Sequence, residues 1–142
     1  MAAVDPARLP YPWPEGAAPK AHMGPNNIIV QMPGALAVGS ALGYRGASDS
    51  GWRPIEGALA AYSDHFAFFI GDGTWGRALW DLDYEGLAKF KLQRSRLPGS
   101  GGVGVKKLSL FGKGGSKHFF RIGPEMAANV NYILTVKEVP SR

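Results

Sequence analysis

From Glu56 onward the chain falls into short strand-like runs, whose apolar residues alternate within Leu87–Gly123, and the period changes to that of a helix only near the end of the chain. Glu56–Tyr62 reads as a strand that breaks at Ser63-Asp64, and the Phe-rich run His65–Ile70 reads as a buried strand. Asp72-Gly73 suits a tight hairpin turn, after which Thr74–Leu82 returns antiparallel. Leu87–Gln93 sets Leu87, Phe90 and Leu92 against Lys89 and Lys91, with one slip at Ala88. In Val103–Phe111, parity groups Val103, Val105, Lys107, Ser109 and Phe111 on one face. Lys117–Gly123 turns Phe120 and Ile122 inward and Arg121 outward.

Earlier in the chain the signal is weaker. Asn27–Val30 and Ala35–Gly43 are candidate first strands, and Tyr44–Pro54 reads as a loop in which Trp52 plugs one end of the core. Leu97–Gly104 and Gly112–Ser116 are Gly-rich connections. Pro124 then stands at a favoured first helical position with Glu125 in the first turn. Met126, Val130, Ile133, Leu134 and Lys137 recur at helical spacing, so one amphipathic helix follows and ends before Pro140.

Seven of the eleven prolines fall in residues 1–34, where each fixes its own φ and extends the residue before it. Leu9-Pro-Tyr-Pro-Trp-Pro is a short polyproline-type stretch that presents Tyr11 and Trp13. Two readings stand open: a disordered tail, or an extended arm that docks these two aromatics on a neighbour. The division expected is therefore a Pro-rich arm over 1–34 and a mainly β domain over 35–142.

Length and composition narrow the class. A chain of 142 residues with 45% hydrophobic residues fits one domain with its own core. No Cys is present, so neither disulfides nor thiolate metal sites contribute. No apolar run is long enough to span a membrane, and no basic segment leads an apolar one at the N-terminus as a signal peptide requires. The expectation is a cytoplasmic or other intracellular setting, or a place within a virion assembly.

Charge changes the picture most. Residues 1–86 sum to −4, whereas residues 87–123 carry nine Lys or Arg and no Asp or Glu. Three readings of that basic block remain: a solvated rim that keeps edge strands from pairing, contact with an acidic protein or a neighbouring subunit, and contact with nucleic acid or anionic lipid. Phe90, Phe111, Phe119 and Phe120 are interleaved with the cations, and exposed rings there would suit base stacking; parity assigns most of them to the core.

Candidate chemistry is sparse. His22, His65 and His118 lack metal-ligand spacing, and no nucleophile elbow, zinc-protease helix or phosphate-cradling loop is present. Asp81, Asp83 and Glu85 alternate along an extended segment; the favoured reading pairs them with Lys89 and Lys91 on the next strand, with a cation site as the lesser one. No catalytic residue, cofactor or metal is expected, and no small-molecule substrate.

The runs Gly57-Ala-Leu-Ala-Ala-Tyr-Ser-Asp-His-Phe-Ala-Phe-Phe-Ile, Trp80-Asp-Leu-Asp-Tyr-Glu-Gly-Leu and Phe119-Phe-Arg-Ile-Gly-Pro resemble bacterial pleckstrin-homology-like (PH-like) or GRAM-like domains. The resemblance covers Gly57–Val136 and is one of cadence. It implies a PH-like β-sandwich or barrel of about seven strands, closed by one C-terminal α-helix. The function expected is that of a non-enzymatic interaction or scaffold protein, in its specific form a structural subunit of a larger assembly such as a phage virion or tail-like particle. Tyr11, Trp13, Lys89, Lys91, Arg94 and Arg96 are the candidate partner-binding residues, and the partners are proteins or neighbouring subunits. The alternative is a peripheral module that binds anionic lipid or nucleic acid.

Overall fold

The computed structural model describes residues 3–14, 17, 19–23, 28–46, 57–70, 78–94 and 104–141. Trp52, the Asp72-Gly73 turn, Arg96 and most of the Leu97–Gly104 connection lie outside them. The chain is mainly β, with strands β1 (Lys20–Met23), β2 (Ile28–Gln31), β3 (Ala37–Gly46), β4 (Gly57–Ala61), β5 (His65–Ile70), β6 (Ala78–Asp83), β7 (Leu87–Arg94), β8 (Lys106–Gly112) and β9 (Lys117–Ile122). One helix, α1 (Pro124–Val136), follows. Among the described residues no helix is long and apolar enough to cross a membrane.

β1 and β2 form an antiparallel hairpin inside the segment that the prolines mark as an arm. The other seven strands make one antiparallel sheet in the order β6-β5-β4-β3-β9-β8-β7. Its two edges, β6 and β7, are consecutive in the chain and joined by the single 3₁₀ turn Tyr84–Gly86. In a flat sheet those edges would stand roughly 29 Å apart, yet so short a link reaches about 14 Å. The sheet must therefore curl until its edges approach. It does not close: β6 and β7 do not pair with each other among the described residues, so the sheet does not form the expected barrel.

Three departures from the sequence pattern have local causes. β3 continues to Gly46, into the expected loop, because Tyr44 and Arg45 pair with Phe120 and Phe119 of β9 beyond a bulge between Ala41 and Gly43. The slip at Ala88 is likewise a bulge, lying where the β7–β8 register shifts between Leu87 and Lys89. β8 begins at Lys106, later than expected, because Gly104 takes a left-handed φ of 89° that strands do not use.

The sheet is covered on both sides of one half. On the inner side, Phe66, Phe68, Phe90, Leu108, Leu110, Phe120 and Ile122 pack with Met126, Val130, Ile133 and Leu134 of α1. On the outer side, Ala58, Ala60, Ala67 and Phe69 pack with Met32 and Ala35 at the end of the hairpin. β4 is thus buried along its whole length, which explains why Gly57–Ala61 is made of small and apolar residues. At the edge junction, the buried Tyr84 donates its hydroxyl to the Tyr62 carbonyl at 2.6 Å, tying the turn to the end of β4. After α1 the chain returns to β7, where the Phe90 N–H donates to the Pro140 carbonyl.

Candidate binding face of the sheet

The outer face of the other half of the sheet has a different composition. β3, β7, β8 and β9 contain no Asp or Glu. Their pairings set outward-facing residues into three rows. Lys117, Phe111 and Lys89 form one; Arg45, Phe119, Ser109 and Lys91 the next; Gly43, Arg121, Lys107 and Gln93 the third. Neighbouring rows are two residues apart, about 6.8 Å along a strand, so six cationic side chains share one surface.

Two phenylalanines stand among them. Phe111 and Phe119 are half-buried and meet edge to face, with centroids 6.2 Å apart. The Lys89 Nζ lies 4.9 Å from the Phe111 centroid, and the Lys107 Nζ 4.9 Å from that of Phe119. The Arg45 guanidinium lies 4.7 Å from the Phe119 centroid. Each cation sits over a negative π-face, an arrangement worth about 0.5–1 kcal/mol at exposed sites. Ser109, the smallest side chain of the group, lies between Phe119 and Lys91 and is 2% exposed because its larger neighbours close over it.

The cations press on one another. The Lys107 ammonium is held below the ordinary lysine value, first by partial burial and then by repulsion from Arg45, Lys91 and Arg121. Burial also lowers Arg121.

Of the candidate residues, Lys89 and Lys91 belong to this face and Arg94 does not. Arg94 pairs with Lys106 on the opposite parity and lines a cleft beside α1 with Pro124 and Ala127. The expected pairing of Asp81 and Asp83 with Lys89 and Lys91 is also corrected. β6 and β7 are opposite edges of the sheet, and the two lysines neighbour Phe111 and Ser109 instead. Asp83 and Glu85 join Asp64, Tyr84 and Lys137 around a small cleft of about 250 Å³. Among the described residues no group of three or more acidic or histidine side chains could hold a metal ion.

The arm lies on its own chain. Leu9 is buried in the inner core, and the Tyr11 backbone is held by Asn129 of α1 while the residue as a whole stays 49% exposed. Trp13 is half-buried in an apolar cleft with Pro12, Pro14 and Leu36, its indole N–H buried without a hydrogen-bond partner. Sequence reasoning missed Lys107, Lys117, Phe111 and Phe119 as members of one surface. The signal was present, since a strand that turns Phe120 and Ile122 inward must turn Phe119 outward.

No protein-family model matches the chain, and no curated protein shows significant similarity to it.

Proposed function

We propose that this protein is a non-enzymatic interaction module that holds an anionic partner against the outer face of β7, β8 and β9. The observation that carries it is the gathering of Lys89, Lys91, Lys107 and Lys117 around Phe111 and Phe119, on strands that contain no acidic residue. A cluster of like charges raises the local concentration of a polyanion and gains from counterion release when one binds. The PH-like assignment is part of the same proposal. Seven antiparallel strands in a curled sheet, followed by one helix on its inner side, support it.

The N-terminal segment supplies a second contact in this scheme, the one through which the protein joins a larger assembly. Among the described residues, Tyr11 and Ile29 are the exposed large hydrophobics, each 49% exposed. The basic face is tested by heparin chromatography of the full chain against a variant with Lys89, Lys91, Lys107 and Lys117 changed to Gln. Salt-dependent retention of the parent, and its loss in a variant with unchanged circular dichroism, is the expected result. Equal retention of both would remove the face from the account.

A further inference from the structure

The lysines alone would accept any polyanion. The two rings narrow the choice, because a polyanion that also carries flat π-surfaces can use both features at once. Phe111 and Phe119 are fixed by their contact with each other and by pairing with Lys89, Lys117 and Ser109, so they present a rigid platform. The cations above them are Lys89 and Lys107, on flexible stems at 4.9 Å, and over Phe119 also the Arg45 guanidinium at 4.7 Å. A lysine can swing from ring to phosphate without backbone movement and so uncover the π-face it had occupied. An acidic peptide would satisfy the ammonium groups and leave the rings unused. A membrane favours apolar groups that project into the lipid, whereas these rings are half-buried in the sheet. A duplex keeps its bases stacked internally and offers the rings nothing.

We infer that the anionic partner is single-stranded nucleic acid, its bases stacking on Phe111 and Phe119 and its phosphates held by Lys89, Lys91, Lys107 and Lys117. This rests on the proposed anion-binding role of the same face. Readout is of backbone charge and base stacking, so sequence preference is weak.

The test is fluorescence anisotropy of labelled oligo(dT) with the full chain, beside a duplex of equal length, inorganic polyphosphate and phosphatidylserine vesicles. Oligo(dT) binds more tightly than duplex or polyphosphate. With about four phosphates neutralised, the logarithm of affinity falls with the logarithm of salt at a slope of about −3. Changing both Phe111 and Phe119 to Leu weakens oligo(dT) binding about thirtyfold or more and leaves polyphosphate binding unchanged. The Phe111→Tyr, Phe119→Tyr variant keeps both rings and keeps the affinity, which separates stacking from damage to the fold. Equal binding of oligo(dT) and polyphosphate, indifferent to Leu at both positions, would overturn the nucleic-acid inference and leave the anion-binding face standing. Binding to vesicles alone would also overturn it. Binding to none of these probes at low salt would overturn both.

Discussion

Tyr11 and Asn129, 118 residues apart in sequence, grip each other through two hydrogen bonds. The Tyr11 N–H donates to Asn129 Oδ1 at 3.0 Å, and the Asn129 Nδ2 donates to the Tyr11 carbonyl at 3.2 Å. A side-chain amide has both a donor and an acceptor, so one Asn serves a backbone unit as a neighbouring strand would. Asn129 is 6% exposed, which shields both bonds from water.

Asn129→Ala removes both partners of the Tyr11 peptide at once. The expected cost is about 1–3 kcal/mol, seen as a lower urea midpoint. Because Leu9 sits next to this clasp in the core, protease cleavage within the first residues should accelerate in the same variant.

Gly39 marks where α1 crosses β3. A Cβ built there would stand 2.6 Å from the Met126 Cβ, closer than such atoms approach. Gly39→Ala should destabilise by about 1–3 kcal/mol through overpacking. Met126→Ala should not rescue it, since alanine retains the offending Cβ; chemical denaturation of the single and double variants checks both statements.

His118 faces the inner side of β9, its Nδ1 2.9 Å from the Tyr44 hydroxyl. Burial lowers its pKa from the ordinary value of 6.5. The unfolded chain therefore binds a proton at a pH where the folded protein does not. Stability is full above pH 6.5 and falls as the pH drops through the unfolded value, with the loss complete below the folded one. Thermal melts of the parent and of His118→Gln between neutral and mildly acidic pH should converge or diverge accordingly, with the variant losing less on acidification.

Much of the fold is legible in the residues, and the failures are specific. β5 and the start of α1 follow from the run His65–Ile70 and from Pro124 with Glu125, because local pattern and tertiary burial agree there. β4 falls within the run Glu56–Tyr62 read as a strand, although it hardly alternates; what no short-range rule foresees is the hairpin that covers its second side. The end of β3 was hidden because its pairing with β9 outweighs the turn preference of its glycines. For the site, Lys89 and Lys91 stand out as alternating cations. Their neighbours do not, because register between β7, β8 and β9 decides that Lys107, Phe111, Lys117 and Phe119 join them while Arg94 turns away.

The central claim is that the outer face of β7, β8 and β9 is where an anionic partner binds. Backbone amide shift mapping, by titrating isotopically labelled protein with oligo(dT) at low salt, tests it most directly. Shifts concentrated at Lys89, Lys91, Lys107, Phe111, Lys117 and Phe119, fading as salt is raised, are the predicted result. Shifts centred on Tyr11 and α1, or on the cleft between Asp64 and Lys137, with β8 and β9 unmoved, would contradict it.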